Sequence, residues 1–151
     1  MRPALAAAGG FLAAVLWFDL MFDVQALRRA HRGGPLPEPV LASIAGYYRR
    51  VTTEASPMGR LVAGVMLAAL GAAAWDLATG ARPLAVRALS LALLTAPIAL
   101  AGARTVPNAV RLGARADPPE RQSALARAIA RDHIACLAAV TAFLLLQLAA
   151  P

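Results

Sequence analysis

Two carboxylates four residues apart, Asp19 and Asp23, stand inside the apolar run FLAAVLWFDLMFD at 11–23. On a helix such residues share a face, with Cβ atoms about 5–6 Å apart. An ionisable group at bilayer depth costs about 2.5–3.5 kcal/mol on insertion scales, so such groups turn toward a bundle interior or a wet cavity. The chemistry open to the pair is proton acceptance, with Asp23 as part of the polar wall of a pocket. The structural alternative leaves Asp23 solvated at the interface and pairs Asp19 with an arginine such as Arg104. Asp19 lies one turn deeper, so it needs an internal partner; Arg104, Asn108 and His133 are the candidates.

His133, in RDHIACL, has the ordinary pKa that suits acid–base work. Its bland reading is an interfacial hydrogen-bonding residue at the start of a span. Asp132 and Cys136 flank it, but no Ser-His-Asp or Cys-His order follows from the chain. His31 lies among Arg28, Arg29, Arg32 and Gly33-Gly34 and reads as a solvated loop residue. The sequence contains no HExxH, no glycine-rich phosphate loop and no paired metal-ligand motif, so neither a cofactor nor a metal is expected. The single cysteine, Cys136, excludes an internal disulfide and a CxxC pair.

The elements that must position these residues are membrane spans. Hydrophobic residues make up 60% of the 151 residues, and mean hydropathy is +0.62, beyond the roughly half expected of a soluble domain. Four charge-poor runs each reach the roughly 20 residues of a span once flanks are added. They predict one all-α domain over 1–151: a polytopic antiparallel four-helix bundle, with spans at about 4–25, 58–78, 84–106 and 131–150. The opening MRPALAAAGGFLAAVL resembles a signal peptide in make-up, but it continues through Trp17 and Phe18 without a convincing cleavage site, so it reads as a retained span.

Between the first two spans, Val40, Leu41, Ile44, Tyr47, Tyr48 and Val51 recur at three- and four-residue spacing. An amphipathic helix over about 38–54 follows, lying flat among lipid headgroups or packed as a cap over the bundle. Gly9 and Gly10 in the first span, and Gly64, Ala68, Ala69 and Gly71 in the second, suit close helix packing. Trp75 reads as an interfacial anchor and Asp76 as a solvated carboxylate. Pro97 should kink the third span, with Thr95 or a neighbouring helix offsetting the lost hydrogen bond. DPPE at 117–120 reads as a capping Asp, first-turn prolines and a Glu at the third helical position. Nothing breaks the chain from Glu120 to Ala150, a helix of about 45 Å at 1.5 Å per residue.

All fifteen basic residues are arginines, and the net charge is +7. Their interspersion with apolar spans favours membrane topology over a nucleic-acid partner. Arg28, Arg29, Arg32, Arg49, Arg50, Arg60, Arg104, Arg111, Arg115, Arg121, Arg127 and Arg131 fall on one side of an antiparallel bundle; Arg2, Arg82 and Arg87 fall on the other. Twelve against three predicts a bacterial inner-membrane protein with both termini away from the cytoplasm, and Asp19, Asp23, Asn108 and His133 near the cytoplasmic mouth.

Four spans in this length, the Pro-Asn at the end of the third (ARTVPNAVRL) and the charged, His-bearing start of the fourth (RDHIACL) resemble the anthrone oxygenase-like membrane family. That resemblance implies oxidation of small aromatic or lipophilic substrates without a bound cofactor. Asp19 or His133 would then remove a proton, and Asn108 or Arg104 would stabilise the resulting oxyanion. Two other expectations suit the same sequence. One is a non-catalytic accessory subunit of a larger membrane complex; the other is a small proton-coupled exporter, which with four spans needs self-association to form a pathway.

Overall fold

The computed structural model describes residues 1–28, 34–54 and 56–149. The described residues form helices α1 (Arg2–Arg28), α2 (Glu38–Arg49), α3 (Ser56–Thr79), α4 (Leu84–Leu100), α5 (Val106–Ala114) and α6 (Pro119–Ala149), with no strand among them. A π-turn over Arg50–Glu54 continues α2, and a second over Ala101–Thr105 joins α4 to α5. Four stretches are long and apolar enough to cross a membrane: Arg2–Arg28, Pro57–Thr79, Leu84–Ala114 and Pro119–Ala149. The chain is an all-α, multi-pass membrane protein. The expected roles of Arg29, His31 and Arg32 lie outside the described residues.

The first and last spans form the spine of the bundle and run antiparallel. Arg2 donates from Nη2 to the Gln147 carbonyl at 3.1 Å, Gly9 faces Phe143, and Asp23 meets His133. A Cβ at Gly9 would lie 3.1 Å from the Phe143 ring, whereas one at Gly10 would meet nothing within 4 Å. Only the first of the two glycines is used for close approach. Around this seam Leu5, Leu12, Leu94, Val140 and Phe143 form an apolar core, to which α3 contributes Ala69 and Ala73. Gly64, Ala68 and Gly71 are exposed instead, because the buried stripe of α3 runs through Ala69, Ala73 and Asp76.

The amphipathic segment packs over one end of the bundle as a cap. Val40, Leu41, Ile44, Ala45 and Tyr48 are buried against Ala26, Ala109, Leu112, Leu125, Ala126 and Ile129, with Tyr47 and Val51 partly buried beside them. Full burial of a Leu or Ile side chain is worth about 1.5–3 kcal/mol, so this periodic face holds the cap down. The approach to α2 is tied to α6, since Ser123 Oγ accepts from the Leu36 N–H at 2.8 Å and Arg127 donates to the Gly34 carbonyl at 2.9 Å.

The seam between α2 and α5 has no room for a side chain at Gly113, where a Cβ would sit 2.8 Å from the Arg49 backbone nitrogen. Gly113→Ala is therefore expected to push the cap away and cost about 1–3 kcal/mol, as overpacking does. Gly46→Ala is the control, because its Cβ would meet nothing within 4 Å. Thermal unfolding in detergent that finds the two variants equally stable would rule out a tight seam.

In the third span Pro97 removes the N–H that would bond the Leu93 carbonyl. Thr95 does not compensate, since its hydroxyl donates to the Leu91 carbonyl at 2.8 Å. The neighbouring α6 is involved through the Cys136 thiol, 3.8 Å from the Pro97 carbonyl. The π-turn follows one turn later and leaves Thr105, Ala109 and Leu112 buried.

Two expectations about acidic residues are corrected. Asp76 is buried, and Arg82 Nη2 reaches its Oδ2 at 2.6 Å with both side chains largely excluded from solvent. Two helix ends meet there: Arg87 donates from Nη1 to the Leu77 carbonyl at 2.6 Å, in the last turn of α3, and to the Asp76 carbonyl at 3.1 Å, which also accepts the Gly80 N–H at 2.8 Å. Asp117 does not cap α6. Its carboxylate takes a two-pronged bond from Arg111, both contacts at 2.7 Å, and that hydrogen bonding holds its pKa below the usual carboxylate value. A charge-assisted bidentate pair outcompetes a neutral backbone donor for the same oxygens.

Candidate functional site

Three helices bring their polar residues to one point below the cap. The buried stripe of α1 passes through Leu5, Gly9, Leu12, Asp23 and Ala26, with Asp19 on the same side one turn before Asp23. From α6, adjacent residues point about 100° apart, so Asp132 and His133 serve different neighbours. Asp132 faces the third span, where Arg104 Nη2 lies 3.0 Å from Oδ1 and the Thr105 hydroxyl donates to Oδ2 at 3.3 Å. His133 faces α1. From α2, the two tyrosines of the amphipathic face turn their hydroxyls toward the carboxylates.

Asp23 is the hub and is fully buried. Its Oδ1 accepts from the Tyr48 hydroxyl at 2.6 Å, and its Oδ2 lies 2.7 Å from His133 Nδ1. An ionised carboxylate only accepts, so opposite an ionised Asp23 the hydrogen of this second bond belongs to Nδ1, and whenever the ring is neutral Nε2 is its unprotonated nitrogen. Nε2 points toward Asp19, with Oδ2 at 3.9 Å, beyond direct hydrogen-bond reach. Asp19 is held in place by Tyr47, whose hydroxyl donates to Oδ1 at 2.5 Å.

Tyr47 is braced by stacking on Phe22, with ring centroids 4.1 Å apart, and meets Tyr48 edge-on at 5.2 Å. Burial first, and then the adjacent carboxylates, push both phenol pKa values well above the ordinary value. Both hydroxyls therefore remain protonated donors, which suits them to fixing carboxylates rather than exchanging protons. The result is a chain of groups, Tyr48–Asp23–His133, then the gap to Asp19, then Tyr47. Chemically it is an imidazole oriented by a buried carboxylate at Nδ1 and free to take a proton at Nε2, the arrangement of a general base with its orienting acid.

Of the residues singled out from sequence, Asp19, Asp23 and His133 come together. Of the three candidates for Asp19, His133 of the fourth span is the one that comes near, at 3.9 Å, while the hydrogen bond Asp19 receives is from Tyr47 of the cap. Arg104 is not at this point; it pairs with Asp132, its own side chain about half exposed. Asn108 is half-buried on α5, and among the described residues no hydrogen bond of the cluster involves it. Tyr47, Tyr48 and Thr105 were not among the predicted site residues. The two tyrosines carried a signal, being apolar-face residues with polar tips on a helix that adjoins two buried acids. Among the described residues no group of three or more His, Cys, Asp or Glu is arranged to hold a metal ion.

Neither a family model, nor a curated protein, nor a solved structure matches this chain.

Proposed function

We propose that this protein is a membrane-embedded acid–base enzyme acting on a small aromatic or lipophilic substrate, oxygenase-like and without a bound cofactor. The observation that carries the reading is His133, held at Nδ1 by buried Asp23 at 2.7 Å while Nε2 looks across 3.9 Å to Asp19. In this reading Nε2 takes a proton from carbon or oxygen of the substrate, and Asp23 stabilises the imidazolium that forms. Tyr47 keeps Asp19 in place at the far side of the gap. A carbanion so formed is the species with which dioxygen reacts, and the resemblance to the anthrone oxygenase-like group supports that co-substrate. Lipophilic substrates fit a site placed among membrane spans.

In the same proposal the protein lies in the bacterial inner membrane with both termini away from the cytoplasm and the site near the cytoplasmic mouth. The twelve-to-three arginine distribution supports this orientation. Alkaline phosphatase fused after Pro151 is then expected to be active. Activity from a cytoplasmic reporter there instead would reverse the orientation.

One observation favours a second reading, proton-coupled export by an oligomer: an acid and a histidine face each other within the span region, as proton relays do. Purified protein in lipid, treated with chelator and given oxygen and lipophilic aromatic C–H acids, separates the two. Oxygen uptake that His133→Gln abolishes supports the enzyme. Proton flux across proteoliposomes without turnover, lost in the same variant, moves the function to transport. Stoichiometric copurification with a larger complex, with neither activity, would leave an accessory subunit.

A further inference from the structure

Two hydrogen-bond acceptors face each other across the gap in the His133 cluster. Asp19 Oδ2 lies 3.9 Å from His133 Nε2. Among the described residues neither atom has a hydrogen bond, because Tyr47 bonds the other oxygen of Asp19 and Asp23 bonds the other nitrogen of the ring. The His133 side chain is nine-tenths buried, yet with the ring neutral its Nε2 is aimed at an atom that has no hydrogen to give. The gap is not sealed, since the two side chains keep 10% and 15% of their surface.

The charge is also out of balance. Two carboxylates meet one imidazole, and among the described residues no arginine pairs with Asp19 or Asp23; Arg104, from the neighbouring span, is committed to Asp132. Ionised carboxylates shut among helices with no cation beside them are costly. A proton on Nε2 offsets part of that cost, and so does a cation seated in the gap, so the two exclude each other. Water can donate to both acceptors but brings no charge, and a hydroxyl has one hydrogen to give. A primary or secondary ammonium brings the charge and at least two hydrogens. Its nitrogen, about 2.9 Å from each acceptor, sits to one side of the line between them, because the gap is shorter than two such bonds. The surroundings suit a lipophilic carrier of that group: Trp17, Phe18 and Met21 are exposed on the outer side of α1, and Phe22, one turn beyond Asp19, stacks on Tyr47.

We propose that the gap between Asp19 and His133 binds a lipophilic primary or secondary amine in its ammonium form, in place of a proton on Nε2. The inference gives the transport reading its cargo class and rests on that reading for the exchange alone; the binding stands on the geometry of the gap. In the enzyme reading the same ligand occupies the base and blocks it.

The test measures equilibrium binding to the full chain in mild detergent with three probes of one ring system: naphthylmethylamine, naphthylmethanol and naphthylmethyl-trimethylammonium. The amine is expected to bind about tenfold or more tighter than the alcohol, which lacks the charge, and than the trimethylammonium ion, which has the charge without an N–H. Asp19→Asn keeps an acceptor for Tyr47 but removes the charge, and should weaken the amine by a similar factor; Asp117→Asn, an acid outside the cluster, is the control. Nitrogen-15 NMR of the parent protein gives an arm that needs no variant to fold, since the amine should move the Nε2 signal of His133. Equal affinity for the three probes, amine binding unchanged in Asp19→Asn, or an Nε2 signal that the amine leaves in place overturns the proposal. Selective binding with no movement of the amine across proteoliposomes keeps the site and removes only the transport reading.

Discussion

Replacing Asp23 by Asn is expected to leave the protein folded and remove its base. The amide oxygen still accepts from Tyr48, which bonds Oδ1 at 2.6 Å, but the amide nitrogen now donates toward His133 where Oδ2 accepted at 2.7 Å. Nδ1 must give up its hydrogen to accept that bond, so the hydrogen moves to Nε2, the atom that faces Asp19. A general base whose lone pair has moved to the wrong nitrogen loses on the order of 10⁴ in turnover in the best-studied His–carboxylate enzymes. Nitrogen-15 NMR of histidine-labelled protein reads the tautomer directly and needs no substrate. An unchanged Nδ1–H signal in Asp23→Asn would refute the assignment. Asp23→Ala differs, since it strands the Tyr48 hydroxyl and the His133 Nδ1–H in a dry site at about 1–3 kcal/mol each. That variant should melt well below Asp23→Asn.

At the other end of the bundle, Asp76→Ala is expected to be among the most destabilising single changes. Arg82 is largely buried, and its Nε and Nη1 already have no partner among the described residues. Among the described residues its one charge partner is Asp76 at 2.6 Å. Removing one member of a buried pair leaves an uncompensated charge and costs about 3–5 kcal/mol, whereas replacing both with apolar residues can be nearly neutral. The double variant Asp76→Leu/Arg82→Met should therefore recover most of the loss in a thermal melt. A single variant as stable as the parent would mean that Arg82 swings out to water and that the pair contributes little.

The two ends of the bundle illustrate different limits of sequence reading. Asp19, Asp23 and Asp76 all stand in or just after apolar runs, yet the sequence demands an internal partner only for Asp19 and leaves Asp23 between a pocket wall and a solvated interface. Asp19 lies within its run, one turn deeper than Asp23, with little chance of reaching water. Asp76 follows Trp75 at the end of a run, where an exposed carboxylate is the ordinary outcome. Its burial depends on Arg82, and Arg87 closes over the same helix end across a turn whose geometry no local pattern specifies. Asp117 shows the same dependence, since a residue with capping character is taken over by Arg111 once the chain bends.

By itself the sequence determined the four apolar helices, the amphipathic segment at 38–54 and the presence of two acids on one face of the first span. Each follows from periodicity and transfer free energy within a single element. It also restricted the partners of Asp19 to one end of the bundle, because antiparallel spans leave few alternatives. Tertiary structure alone decided which candidate arrived. The rotation of α6 points His133 at the acids and Asp132 at Arg104, and the docking of α2 delivers the hydroxyls of Tyr47 and Tyr48. Helix rotation and the angle of a docked cap are set by packing between elements, where side chains distant in sequence compete for the same space.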